Sequence, residues 1–165
     1  MGRFLFRIAR LKLMGIFVGF AFAYFPFLIP VKKILQNKKA VSFAHPAAVY
    51  PNHVLIIPRK IARTVFFLSD GDFEAIIEMA TKIRHEDNRD FVLMINGGKR
   101  QDVMQAHFHL FTGNWVAEKG LTKRVDSTFS ICDLRNVLKQ HYIPEESFSL
   151  AVQFEKNAEP MIYLM

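Results

Sequence analysis

The stretch that decides the fold reads Gln105-Ala106-His107-Phe108-His109-Leu110-Phe111. Its polar and apolar residues alternate, which is typical of a β-strand with one buried face, because successive side chains point to opposite sides. We therefore expect Gln105, His107 and His109 to form one polar row. Imidazole is the side chain best suited to nucleophilic attack, proton transfer or metal binding near neutral pH. The row thus predicts a functional site on a strand.

The sequence around this strand predicts an α+β fold with a largely antiparallel sheet and one main helix. Branched and aromatic residues favour further strands at 41–44, 53–58, 91–95, 148–154 and 161–165. Apolar residues at helical spacing predict the main helix from about Phe73 to Glu86, capped by Ser69 or Asp70. A second, short helix is predicted at 133–141. The turn residues Asn96-Gly97-Gly98 join strand 91–95 to the histidine strand as a hairpin.

Charge and cysteine content narrow the class of partner. The 165-residue chain has a formal net charge of +7 and a pI near 9.7, which favours anionic partners such as phosphorylated ligands or acidic lipids. Cys132 is the single cysteine, so an intramolecular disulfide and a cysteine-based zinc site are excluded. No cofactor is expected. Nucleic acid is not an expected partner either, since many of the basic residues flank an apolar segment.

That apolar segment, residues 13–31, contains no charged side chain. As a helix its 19 residues would extend about 28 Å, close to the thickness of a bilayer's hydrocarbon core. A membrane-anchoring helix is therefore the leading prediction, with Pro26 and Pro30 ending its uninterrupted part near Phe25. A cleaved signal peptide and a hydrophobic segment that does not span the membrane are the alternatives.

The change of composition after this segment predicts two parts of the chain. Residues 1–37 are expected to form the membrane-anchoring segment, and residues 38–165 a folded domain with a C-terminal extension. The protein is accordingly predicted to be a single-pass membrane protein whose folded domain lies in the cytoplasm.

Three motifs, in this order along the chain, resemble the histidine-triad (HIT) superfamily. The family's Pro-x-His-x-Leu-φ-φ-Pro strand, in which φ is apolar, matches residues 51–58, and its asparagine-glycine turn matches Asn96. Its pattern Gln-x-Val-x-His-φ-His-φ-His-φ-φ matches residues 101–111, with Gln105 in the first triad position. The resemblance covers about residues 39–114, so it leaves out the N-terminal segment and the C-terminal tail.

The resemblance implies an antiparallel α+β fold, commonly a homodimer, and chemistry at the α-phosphate of nucleotides. His107 matches the family's nucleophile, which forms a nucleotidyl-histidine intermediate, and His109 matches the last triad histidine, near the phosphate. The substrate-binding positions that follow are His53, Asn96, Gln101 and Gln105. The expected function is that of a phosphohydrolase or nucleotidyltransferase acting on a nucleotide or another pyrophosphate-containing substrate.

Three positions depart from the family pattern. Gln105 can form hydrogen bonds but cannot carry a proton. Asp102 stands where members frequently have a serine or threonine that contacts phosphate, and His45 stands at or next to an acidic ribose-binding position. Two alternatives follow. One is a catalytically reduced nucleotide- or phosphate-binding module, and the other is a metal enzyme with ligands drawn from His53, Asp102, His107 and His109.

Overall fold

The computed structural model describes residues 31–85, 89–101, 103, 105–113, 124–125, 148–154 and 161–164, together with a few isolated positions. The strands are β1 (Lys33–Gln36), β2 (Ala40–Ala44), β3 (Val54–Pro58), β4 (Phe91–Gly97), β5 (Phe108–Thr112), β6 (Arg124–Val125), β7 (Phe148–Phe154) and β8 (Met161–Leu164). The helix α1 spans Asp70–His85, and short 3-10 helices cover Val65–Phe67 and Gly98–Arg100.

All of these strands belong to one antiparallel sheet with the order β1-β2-β3-β5-β4-β7-β8-β6. The predicted fold class is therefore confirmed in the described part of the chain. The predicted hairpin is formed by β4 and β5. The strands predicted at 148–154 and 161–165 correspond to β7 and β8, which pair with each other. The histidine strand β5 lies between β3 and β4, so both of its edges are paired with neighbouring strands.

The helix covers one face of the sheet. Alternate residues of the central strands point to it, and Ile56, Leu93 and Phe108 among them are fully buried. Phe73 of α1 meets Phe108 edge-on, with ring centroids 5.9 Å apart. Burial of one such side chain contributes about 1.5–3 kcal/mol. This face therefore supplies the main hydrophobic core. The opposite face carries His53, directly before β3, and His109 of β5, beside smaller clusters of buried apolar residues that include Leu55 and Phe111.

The start of α1 is stabilised by the Asp72 side chain. The Ser69 hydroxyl donates to the Asp72 carboxylate at 2.7 Å, and the Ser69 backbone N–H donates to the same carboxylate oxygen at 2.9 Å. The second bond is one half of a capping box, with Asp72 in the place usually taken by glutamate or glutamine. It confirms the predicted cap at Ser69 and explains why the helix begins at Asp70, three residues before the predicted Phe73.

The histidine strand is shorter than predicted. It begins at Phe108, whereas the alternation predicts a strand from Gln105. The β3–β5 ladder ends at the pair of Ile56 with Phe108, and the next residues of β3 lead into Pro58, which has no N–H to donate. The Ala106 N–H instead donates to the Ala62 carbonyl, in the loop after β3, at 2.6 Å. His107 therefore lies directly before β5, at the end of the sheet.

The N-terminal boundary also differs in detail. The sheet begins at Lys33, within the range 1–37 that the sequence assigns to the anchoring segment. The predicted anchor at 13–31 and the predicted short helix at 133–141 fall almost wholly outside the described residues. Among the residues that are described, no helix is both long and apolar enough to cross a membrane.

Candidate phosphate-binding and catalytic site

The His107 ring is fixed by the backbone just before it. Its Nδ1 lies 2.7 Å from the carbonyl oxygen of Gln105. A carbonyl oxygen can only accept, so Nδ1 carries the proton in this bond, and Nε2 of the neutral ring keeps its lone pair. The side chain is half-buried. This arrangement suits Nε2 to act as a nucleophile or a base.

His53 and His109 are joined by a direct bond between their rings. His53 Nε2 lies 3.0 Å from His109 Nδ1, and the other nitrogen of His53, Nδ1, is buried with no hydrogen-bond partner in the described part of the chain. A buried N–H without a partner is rarer than a buried lone pair without one. The favoured arrangement thus has His53 donating from Nε2. His109 then carries its proton on Nε2 and can donate it to a ligand.

The rings of His107 and His109 lie beside each other. Their ring centroids are 5.0 Å apart, and the rings meet edge to face. The two residues are separated by one position along the chain, which places their side chains on the same side of the strand. A phosphate group bound against this pair would meet an electron-pair donor and a hydrogen-bond donor together.

Burial keeps two of the histidines neutral. It lowers the pKa of His109 from 6.5 to about 2, and the nearby charges of His107, His53 and His45 act in the same direction. Burial, followed by the charge of His45, lowers the pKa of His53 from 6.5 to about 4. At neutral pH both rings are therefore uncharged, and His109 serves as a neutral hydrogen-bond donor.

His45 contacts His53, although the sequence does not predict this contact. Its ring stacks on His53, with centroids 4.1 Å apart and an interplanar angle of 9°. The loop between β2 and β3 brings it there, closed by a bond from the His45 N–H to the His53 carbonyl at 2.8 Å. Asn52 turns this loop with φ of 51°, a conformation that asparagine tolerates. The Ala47 N–H donates to His45 Nδ1 at 3.1 Å and orients the ring.

Two predicted site residues, Gln105 and Gln101, bind backbone groups. Gln105 is 2% exposed; its amide nitrogen donates to the Lys60 carbonyl at 2.8 Å, and its oxygen accepts from the Ala62 N–H at 3.2 Å. The Gln101 amide donates to the Arg63 carbonyl. Both side chains thus fasten the residues before β5 to the loop that follows β3. This loop and the carbonyl that orients His107 are held as one unit.

Asn96 lies near the end of β4, beside the histidines. Its side-chain oxygen accepts from the Ser149 hydroxyl at 2.7 Å, and Arg100 donates to that hydroxyl oxygen at 3.2 Å. The β4–β5 register, continued one pair past the first residue of β5, places Asn96 opposite His107. Ser149 and Arg100 are absent from the predicted site. The alternation at 148–154 predicts a strand but does not say that it pairs with β4.

An aromatic pair borders the buried end of the site. Tyr50 stacks on Phe111, with ring centroids 4.3 Å apart, and meets His53 edge-on at 5.6 Å. The sequence places Tyr50 in a loop and gives no sign of this contact. Tyr50 and Phe111 help to exclude water from His53, and the loss of water is the main cause of its lowered pKa.

Three of the histidines could hold a metal ion. His45, His53 and His109 place their ligand atoms within 4.8 Å of one another. This set differs from the predicted one because it includes His45, while Asp102 lies outside the described residues. Metal binding would require the bond between His53 and His109, and the bond from Ala47 to His45, to open, since each uses a ring lone pair. The rings as they stand are arranged for hydrogen bonding.

Several solved structures are similar to this chain. A hypothetical protein from Leishmania major is 24% identical with a TM-score of 0.49, and the alignment covers 68% of this chain and 85% of that chain. A HIT family protein from Bacillus anthracis is 23% identical with a TM-score of 0.47, covering 70% and 88%. A histidine triad nucleotide-binding protein from Candida albicans is 21% identical with a TM-score of 0.46, again covering 70% and 88%. The chain matches none of the curated proteins.

The family comparison covers the same part of the molecule as the site. The model of the HIT domain matches residues 27–115, which is more than half of the 165-residue chain. The matched range contains the histidines described above and the residues that hold them, namely His45, His53, Asn96, Gln101, Gln105, His107 and His109. This chain therefore belongs to the HIT family.

Proposed function

We propose that this protein is a HIT-type phosphohydrolase or nucleotidyltransferase, acting on a nucleotide or another pyrophosphate-containing substrate through a covalent intermediate on His107. The observation that carries the proposal is the 2.7 Å bond from His107 Nδ1 to the Gln105 carbonyl. It selects the tautomer in which Nε2 has a lone pair for attack, and a nucleophile needs such activation. Membership of the HIT family supplies the reaction class.

In the first step, His107 Nε2 attacks the α-phosphorus of the substrate. A nitrogen–phosphorus bond forms, and the bond from phosphorus to the leaving oxygen breaks; that oxygen departs with the electron pair and takes up a proton from solvent water. The His109 N–H donates to the phosphoryl oxygens as their negative charge grows, which is electrostatic stabilisation of the transition state.

In the second step, a water molecule attacks the same phosphorus. The nitrogen–phosphorus bond breaks and its electron pair returns to His107 Nε2, while the water loses a proton and the nucleoside monophosphate leaves. A transferase would use an alcohol or phosphate acceptor in place of water. The neutral form of His107 is restored in either case.

The other site residues are proposed to bind the substrate phosphate or to hold the histidines in position. Asn96 is proposed to donate from its amide nitrogen to the substrate phosphate, because its oxygen is already bonded to Ser149. His53 fixes the tautomer of His109. We propose that Gln101 and Gln105 act mainly as positioning residues, since their amides are bonded to the loop after β3. This refines the substrate-binding role that the sequence predicts for both glutamines.

The covalent intermediate can be tested directly. The full chain is mixed with a panel of dinucleoside polyphosphates, nucleoside phosphoramidates and CDP-lipids, quenched within the first turnover, and measured by intact-protein mass spectrometry. We expect a nucleotidyl adduct on wild type and none on His107→Asn. His109→Asn keeps the nucleophile and should form the adduct about 10²–10³-fold more slowly. An unchanged adduct on His107→Asn would exclude His107 as the nucleophile.

Two alternative functions are each supported by a different observation. Gln105 cannot transfer a proton, which supports a binding module with reduced activity. Saturable nucleotide binding with no adduct on wild type, and turnover gained in Gln105→His, would favour that module. The His45, His53 and His109 cluster supports a metal enzyme instead. Stoichiometric metal in the purified protein, together with turnover that stops on chelation, would favour the metal enzyme.

We also propose that the protein acts at a membrane, with residues 13–31 as a single-pass anchor and the catalytic domain in the cytoplasm. The uncharged run and its basic flanks support this location. A homodimer is proposed from the family resemblance. Membrane fractionation of the full chain against a variant starting at residue 32, with sedimentation equilibrium in detergent, would test both points.

A further inference from the structure

The loop of residues 59–67, which follows β3, borders the mouth of the histidine site. Its backbone is bonded to the histidine segment three times: through Lys60 to Gln105, through Ala62 to Gln105, and through the Ala62 carbonyl to Ala106. The backbone of this loop therefore lies against the two residues that immediately precede His107. We call residues 59–67 the docking loop.

The docking loop exposes apolar side chains between cations. Ile61 is 43% exposed and Phe67 is 63% exposed. Arg63 is exposed between them, and residues 59–69 contain Arg59, Lys60 and Arg63 but no carboxylate. Alternating cations and bulky apolar groups are the composition of segments that lie at a membrane surface.

The neighbouring elements extend this basic, aromatic end of the sheet. Phe66 packs near Phe148, at the start of β7, with ring centroids 6.0 Å apart. Arg100 is exposed beside the same strand, where it bonds to Ser149. The acidic residues that follow the loop are Asp70, which is exposed, and Asp72, which is buried and bonded to Ser69 and Lys60. The exposed charge of this end is thus predominantly positive.

We propose that the docking loop rests on an anionic membrane surface, with Ile61 and Phe67 in the headgroup layer and Arg63 against lipid phosphate. This orients His107 toward substrates at that surface. The proposal does not depend on the chemistry of His107, because it concerns only what the loop contacts. A membrane is favoured over nucleic acid because the exposed apolar side chains include an aliphatic residue, which cannot stack on bases.

The test uses the full chain with Cys132→Ser, carrying one new cysteine labelled with an environment-sensitive dye. Phe67→Cys reports on the docking loop, and Lys82→Cys, on the exposed face of α1, is the matched control. Each protein is reconstituted into vesicles of phosphatidylcholine, with or without phosphatidylglycerol. We expect blue-shifted emission and quenching by lipid-borne quenchers at position 67 in anionic vesicles, and neither change at position 82.

A pair of charge-reversal variants then distinguishes a local contact of the docking loop with lipid from a general effect of the chain's net charge. Arg63→Glu changes the chain's charge by the same amount as Lys82→Glu, but only the first lies in the docking loop. Since one cation near an anionic surface contributes about fivefold in affinity, Arg63→Glu should raise the phosphatidylglycerol needed for half-maximal response at least fivefold, and Lys82→Glu should not.

Three results would overturn the proposal. The first is a dye at position 67 that stays water-exposed on anionic vesicles. The second is an equal effect of the two charge reversals. The third is a response of position 67 to a single-stranded oligonucleotide in place of anionic vesicles, which would assign the loop to nucleic acid. Because no substrate is present, each result is independent of whether His107 forms an adduct.

Discussion

The two faces of the same strands carry different kinds of side chain: one packs against α1, and the other carries the histidines. On the helix side, Ile56 and Phe108 are fully buried against α1. On the other side, the alternate residues His53, His107 and His109 form a chain of imidazoles linked by hydrogen bonds and ring contacts. The backbone ladder is common to both faces. Because side chains alternate along a strand, the residues packed against α1 and the proposed catalytic histidines are separate sets, although the histidine face also buries apolar residues such as Leu55 and Phe111.

Neighbouring residues 107 and 108 give the sharpest test of this separation. We expect His107→Ala to lower turnover at least about 10³-fold, because it removes the proposed nucleophile of the covalent step. Its free energy of unfolding should change by less than about 1 kcal/mol, since a half-buried polar side chain is lost. Steady-state kinetics and urea unfolding of the same sample measure the two quantities. A loss of activity that followed unfolding in proportion would remove the distinction between the faces.

Phe108→Ala should show the reverse pattern. The side chain is fully buried and meets Phe73 edge-on, so its removal leaves a cavity that is expected to cost about 3–5 kcal/mol of stability. At temperatures where the variant is folded, turnover should stay within a few-fold of wild type. Phe108→Leu is the milder control, with a loss below that of alanine. Urea midpoints rank the three proteins, and an alanine variant as stable as wild type would contradict the assigned core.

The histidine face should also make stability depend on pH. The pKa of His53 falls to about 4 and that of His109 to about 2, whereas each is 6.5 when exposed. Above pH 6.5 both histidines are neutral in the folded and in the unfolded chain, so the free energy of unfolding has its full value. As pH falls from 6.5 toward 4, the unfolded chain takes up protons that the folded chain does not. The free energy of unfolding should then fall by up to about 1.4 kcal/mol per pH unit for each histidine.

His109→Gln isolates this contribution, because glutamine does not titrate. Its free energy of unfolding, measured in urea between pH 7.5 and 5, should show a shallower slope than wild type. Lys82→Gln, on the exposed helix face, serves as the control and should keep the wild-type slope. Equal slopes in all three proteins would mean that His109 is protonated in the folded state or is not buried.

The sequence predicts the helix and the strands better than it predicts the contacts of the site residues, and the reason is physical. Helix and strand periods are local, so the positions of α1, β3, β4 and β5 follow from residue spacing to within a few residues. Short motifs likewise point to His53, Asn96 and His107. Helix α1 begins three residues before the predicted Phe73, because the bond between Ser69 and Asp72 stabilises its first turn and leaves no mark on the apolar periodicity.

Long-range pairing is what local spacing cannot predict. Ser149 reaches Asn96 only because β7 lies beside β4, more than fifty residues away along the chain. His45 reaches His53 through a loop whose course depends on the left-handed Asn52. Gln105 belongs to the polar row by alternation, yet its amide bonds to a loop. In each case the partner is a backbone group or a distant side chain that no periodicity marks.

Gln105 is the test with the smallest expected effect. It belongs to the polar row of the sequence, but its amide bonds to the backbone of the loop after β3. Gln105→Met keeps the length of the side chain and leaves the Lys60 carbonyl and the Ala62 N–H without partners. We expect a loss of about 1–3 kcal/mol in the free energy of unfolding. The carbonyl that orients His107 belongs to the backbone and is retained, so nucleotide affinity should change little. Unfolding in urea and equilibrium binding of the nucleotide check the two expectations; a large loss of affinity with unchanged stability would instead place the Gln105 amide on the substrate.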